Sequence, residues 1–109
     1  MSAKDLEEKL NEYNWDDGFK FPQKLLNQPD CDLALALEIF YLADGFAYLD
    51  GYAEETSLEE WKRFISSLYD DIINGRYIKS DRQYEIPLSK VERYKLRKKQ
   101  IPEVFLADL

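Results

Sequence analysis

The chain has 109 residues, of which 45% are hydrophobic and 34% charged, with sixteen aromatics and a formal net charge of −7. That length suits one domain of the usual ~100–150 residues, and so many aromatic side chains argue against intrinsic disorder. The acidic total argues against bare nucleic-acid backbone as the main ligand, because such binding depends on Lys and Arg displacing condensed counterions.

Ser2 with Asp5 reads as a capping-box-like start, and Leu6, Leu10 and Tyr13 recur at helical spacing, which predicts an amphipathic helix stopping at Asn14. Trp15, Asp16, Asp17 and Gly18 then form a turn before Phe19 and Phe21. Pro22, with φ already near the helical value, opens a short helix that runs to about Leu26. Asp32 is placed to cap residues 33–43, which are apolar all round except for Glu38, the pattern of a helix enclosed by others. This is the expected centre of the fold. Gly45 follows Asp44 where such a helix commonly needs a left-handed residue to end, and Asp50 with Gly51 marks a second turn.

Thr56 with Glu59 and Ser57 with Glu60 offer two overlapping capping boxes ahead of Leu58, Trp61, Ile65, Leu68 and Ile72. Phe64, Tyr69 and Ile73 widen that stripe, and Gly75 ends the clearest long helix of the chain. Residues 76–88 are expected as an ordered loop, with a small hairpin as the alternative. Ser89 caps a last helix to about Lys99, and Pro102 breaks it before Val104, Phe105, Leu106 and Leu109. That apolar tail should pack on the core, since left exposed it would promote aggregation. The expected fold is all-α, a single compact bundle of about five helices around a buried central helix, with residues 1–109 as one domain.

The residue types limit the chemistry. With no histidine, Ser-His-Asp and Cys-His machinery is absent, as is any His-containing zinc site. Cys31 cannot form an internal disulfide, and Asp32 beside it would raise the thiol pKa, so a structural thiol is expected. A calcium loop starting at Glu12 fails at Asp17 and Gln23, and one starting at Asp44 fails at Phe46 and Tyr48. The four glycines are isolated and make no phosphate loop. No enzyme, metal or cofactor is expected. Residues 33–43 fall short of the roughly 20 needed to span a bilayer, no basic-then-apolar leader opens the chain, and a cytoplasmic location is expected.

Charge is unevenly distributed. Residues 1–60 hold fifteen acids and four bases, a net of −11, whereas residues 61–109 hold seven acids and eleven bases, a net of +4. Residues 44–60 carry Asp44, Asp50, Glu54, Glu55, Glu59 and Glu60 without a Lys or Arg, interleaved with Phe46, Tyr48, Leu49 and Tyr52. Aromatic rings beside unneutralised carboxylates suit a surface that docks on a basic protein. Asp44, Tyr48, Asp50, Tyr52, Glu54, Glu55, Glu59 and Glu60 are therefore the candidate partner-binding residues. The basic run Lys90, Arg93, Lys95, Arg97, Lys98, Lys99 is read as a solvated helix face that partly balances the acidic half. For residues 14–19 the structural reading wedges Trp15 and Phe19 into the core, and the functional one adds Trp15, Asp16 and Asp17 to the partner surface.

Asn14, Trp15, Asp16, Asp17, Gly18 and Phe19, then Pro22, then Cys31 and Asp32 leading through Leu33, Leu35, Leu37 and Phe40 to Ala43, Asp44 and Gly45, form a recognisable pattern. Across residues 12–50 the chain resembles a bacterial family of small acidic proteins of unknown function, one with no assigned catalytic residues. Such proteins are similar to the immunity proteins that accompany polymorphic or contact-dependent toxins. The resemblance implies a binder of a cognate toxin domain, toxins of this kind often being nucleases with a basic groove. The charge and the lack of a spanning segment argue against direct contact with nucleic acid or membrane, and a monomer is favoured with the oligomeric state left open. The rival readings are a general adaptor with no toxin partner and a carboxylate-only hydrolase, the latter requiring a cleft with two carboxylates about 5–9.5 Å apart.

Overall fold

A computed structural model describes residues 3–51 and 58–109. Among them the chain forms α1 (Ala3–Asn11), α2 (Lys20–Leu26), α3 (Leu33–Leu42), α4 (Gly45–Leu49), α5 (Glu59–Ile73) and α6 (Lys90–Lys98), with 3₁₀ turns at Trp15–Asp17 and Glu103–Phe105. There is no strand among the described residues, so the all-α expectation holds.

The centre is α3. Asp32 takes extended backbone angles and its carboxylate accepts from the Leu35 amide at 2.8 Å, the expected N-cap. Ala34, Leu35, Ala36, Leu37, Ile39 and Phe40 are all buried, which is why this helix has no polar face. It packs on α4 and on α5, whose Trp61, Phe64, Ile65, Leu68 and Ile72 form the buried stripe. Each such side chain contributes about 1.5–3 kcal/mol by leaving water. On the other side, Leu6 and Leu10 of α1 join Leu25 and Leu26 of α2 in the same core, and α1 packs directly on α2.

Two local expectations are corrected, and a third falls outside the described residues. The left-handed residue after α3 is Asp44 (φ 64°), not Gly45; aspartate tolerates that conformation because its short polar chain crowds little. Gly45 is small for another reason: a Cβ there would overlap the Phe40 ring and its carbonyl oxygen. The first helix ends at Asn11, earlier than expected. Finally, α5 begins behind Leu58, whose side chain caps nothing, and Thr56 and Ser57 of the expected capping boxes lie outside the described residues, as does Ser2.

Gly75 (φ 77°) closes α5 as expected: its amide bonds the Ile72 carbonyl at 3.2 Å and the Arg76 amide bonds that of Asp71 at 3.1 Å. The Arg76 guanidinium then reaches Asp71 (2.6 Å) and the Asn27 side chain (2.9 Å), tying the end of α5 to the end of α2.

Residues 76–88 are an ordered loop. The Leu33 amide bonds the Ile78 carbonyl at 3.0 Å, Ser80 donates to Asp32 at 2.7 Å, and Arg82 bridges Asp32 and Glu7. Ser89 caps α6 through a full capping box with Glu92. The C-terminal segment returns to the core: Phe105 and Leu106 are fully buried, Phe105 stacks on Tyr69 and tilts on Phe40, and the Tyr41 hydroxyl donates to the Phe105 carbonyl. Arg93 fastens this return by donating to the carbonyls of Ile86 (2.8 Å), Leu88 (3.1 Å) and Leu106 (3.3 Å) and to Asp108 (3.0 Å).

Candidate functional site

Two surfaces flank α5, one on either side of its buried stripe. The first is acidic and aromatic. Asp44 precedes α4 in its left-handed conformation and is exposed, and Tyr48 lies within the helix near its C-terminal end. Tyr48 rests with its edge on Trp61 (6.5 Å between centroids) and tilts on Tyr69 (5.2 Å). The Trp61 indole is fixed beneath it, because its Nε1 donates to the Ala43 carbonyl at 2.7 Å, a buried carbonyl at the C-terminal end of α3. Asp70 follows Tyr69 and is exposed. Burial pushes the phenols of Tyr48 and Tyr69 above their ordinary range, and the Asp70 charge adds to this, so both rings stay neutral. The result is two half-buried tyrosines beside the carboxylate of Asp70, with the exposed Asp44 at the head of α4; neither carboxylate has a cationic partner among the described residues.

The other expected partner-binding residues separate. Asp50 stands at the end of α4, but its carboxylate is 3.0 Å from Lys99, a cation from the basic half of the chain. Glu59 lies 3.7 Å from Lys62 on its own helix. Glu60 belongs to the opposite flank of α5. Tyr52, Glu54 and Glu55 lie outside the described residues. Tyr69 and Asp70 were not candidates in the sequence. Tyr69 is read there only as part of a helix stripe, and its place beside Tyr48 depends on how α4 docks.

The second surface is an open cleft of about 790 Å³ between α2 and α5. Its floor is Phe19 stacked on Phe64, 4.7 Å between centroids and 22° between planes. Lys20 and Lys24 of α2 and Arg63 of α5 line it, together with Asp17 and Glu60. The expected core role of Phe19 is thus realised at a cleft floor, while Trp15 is half-buried with its edge on Tyr13 at 5.6 Å. Gly18 takes φ 95°, and its carbonyl accepts from the Tyr13 hydroxyl at 2.6 Å, which holds the turn ahead of α2. The side chain of Asp16 lies outside the described residues.

The basic run is largely engaged within the molecule. Arg93 is a clamp on backbone carbonyls, Arg97 makes a double contact with Glu103, Lys99 pairs with Asp50, and Lys98 sits over the Tyr94 ring at 4.9 Å. Among the described residues no cluster of three or more Cys, Asp or Glu is placed to hold a metal, and no helix is long and apolar enough to cross a membrane.

No curated protein and no solved structure matches the chain. Residues 2–73, which include both flanks of α5 and the whole of α1 to α4, match a family described as a domain of unknown function (DUF4274). The chain belongs to that family.

Proposed function

We propose that the chain is an immunity protein that binds and neutralises a cognate basic toxin domain, with a nuclease as the best fit, through the acidic aromatic face of α4 and α5. The observation that carries this reading is the Tyr48–Tyr69 pair bordered by the exposed Asp70, with the exposed Asp44 at the head of the same short helix and neither carboxylate holding a cationic partner among the described residues. Such a face complements a groove lined with Lys and Arg. Charge complementarity raises association rates by about 10–10³ over a neutral pair, and aromatic anchors slow dissociation. The reading has the chain act in the cytoplasm, where an incoming nuclease would find its substrate.

The test combines the gene neighbour with charge removal. The product of the adjacent gene should arrest growth when expressed alone, and co-expression of this chain should restore it. The Asp44→Asn, Asp70→Lys double variant should keep its helical spectrum and bind the toxin at least ~10-fold more weakly, with association slowed most at low salt. Full protection by the double variant would remove this face from consideration, and a harmless gene neighbour would favour the adaptor reading.

A further inference from the structure

The cleft on the other flank of α5 has the opposite sign and asks for a different ligand. Three cations and two anions line it, so it is a net-positive spot on a chain whose total is −7. None of Lys20, Lys24 and Arg63 has an ion-pair partner among the described residues, whereas Arg76, Arg82, Arg93, Arg97 and Lys99 all have one. A volume of about 790 Å³ lies in the range of ligand sites, and the stacked Phe19 and Phe64 rings provide the apolar floor such sites need.

We infer that this cleft docks an extended acidic peptide in which one aromatic residue stands between two carboxylates. The spacing supports this directly. Lys20 and Lys24 are one helical turn apart, about 6 Å along α2, while residues i and i+2 of an extended strand project to one side about 6.6–6.8 Å apart. Two acids at i and i+2 therefore match the two lysines. The residue between them points the opposite way, toward the α5 wall, where the exposed Arg63 offers a guanidinium to lie over an aromatic ring. Asn27 adds a backbone contact: its side-chain oxygen accepts from Gln23 (3.1 Å) and from Arg76 (2.9 Å), which leaves its amide N–H groups for a peptide carbonyl. A basic peptide lacks this match, since it meets the lysine row with like charge.

The experiment uses a fluorescein-labelled pentapeptide, Gly-Glu-Trp-Glu-Gly, and its twin with lysine in place of both glutamates, titrated with the full chain and read by fluorescence polarisation. Saturable binding of the acidic peptide is expected, weakened by salt, with the lysine twin at least ~10-fold poorer. Lys20→Glu with Lys24→Glu should weaken the acidic peptide at least ~10-fold; both side chains are exposed, and Arg63→Glu on the facing helix is a second, independent variant. The Asp44→Asn, Asp70→Lys variant should bind the peptide like the parent, which separates this site from the toxin-binding face. Absence of saturable binding, equal binding of both peptides, or unchanged affinity in both cleft variants would overturn the proposal.

Discussion

Cys31 and Glu38 show how neighbours set the chemistry of single side chains. Burial first, and then the adjacent Asp32 charge, pushes the Cys31 thiol up to about 12. It is therefore uncharged and inert at neutral pH: Ellman's reagent at pH 8 should leave the native protein unmodified and titrate its single thiol once denaturant is added. Glu38 is the lone charge on α3, and burial, with help from the Glu7 and Asp32 charges, raises its pKa above the ordinary 4.5. A carboxyl that holds its proton more tightly in the folded state loses stability as pH rises from the unfolded pKa through the folded one. Glu38→Gln should therefore raise the melting temperature at pH 7 and lose that advantage near pH 4, as thermal melts across pH would show. Equal melting of the two proteins at pH 7 would contradict it. Glu103 and Asp108 behave in the opposite sense, because Arg97 holds the first low, and the Ile86 amide with Arg93 holds the second low, so their contribution fades as pH falls through their folded values. The Asp32 effect on Cys31 is visible in the sequence as adjacency. Glu7 is invisible there, since only the tertiary fold brings its charge near Glu38.

At the scale of elements, Gly45 controls how α4 leaves α3. Gly45→Ala would drive a methyl into the Phe40 ring and carbonyl, and a loss of about 1–3 kcal/mol or more is expected in chemical denaturation, with the helical spectrum largely kept. A neutral result would mean that Phe40 has room to move. The long helices were legible from local signals: the Asp32 and Ser89 caps, the run of α3 that is apolar except for Glu38, and the 3.6-residue stripe of α5 all have the roles that their residues imply. Helix α4 was not, because its five residues are too few to show a period. Its left-handed entry is taken by Asp44 while the neighbouring glycine serves close packing, a division of labour that depends on where the Phe40 ring sits.

Across the whole molecule, the acidic and basic halves of the chain fold back on each other only in part. Lys99 reaches Asp50, and Arg82 reaches Glu7 and Asp32, which removes Asp50 from the expected docking surface but leaves Asp44 and Asp70 open. The cleft is not legible in the sequence for a related reason: Phe19 precedes α2 and Phe64 lies within α5, and nothing local pairs them. Arg93 was read as one more solvated cation, yet its guanidinium gathers three backbone carbonyls and a carboxylate into one junction. Arg93→Ala should cost about 2–3 kcal/mol and speed hydrogen exchange at residues 86–88 and 105–109 ahead of the rest; unchanged exchange there would mean that the packing of Phe105 alone holds the segment. The two indoles complete the picture, for Trp61 is sealed at the meeting point of α3, α4 and α5 while Trp15 is half in solvent near the turn that leads into the cleft. The protein thus carries its own pair of optical gauges, a blue-emitting one sensing the joint beneath the anionic face and a redder, quenchable one close to the cationic groove, so each flank of α5 can be followed without attaching a dye.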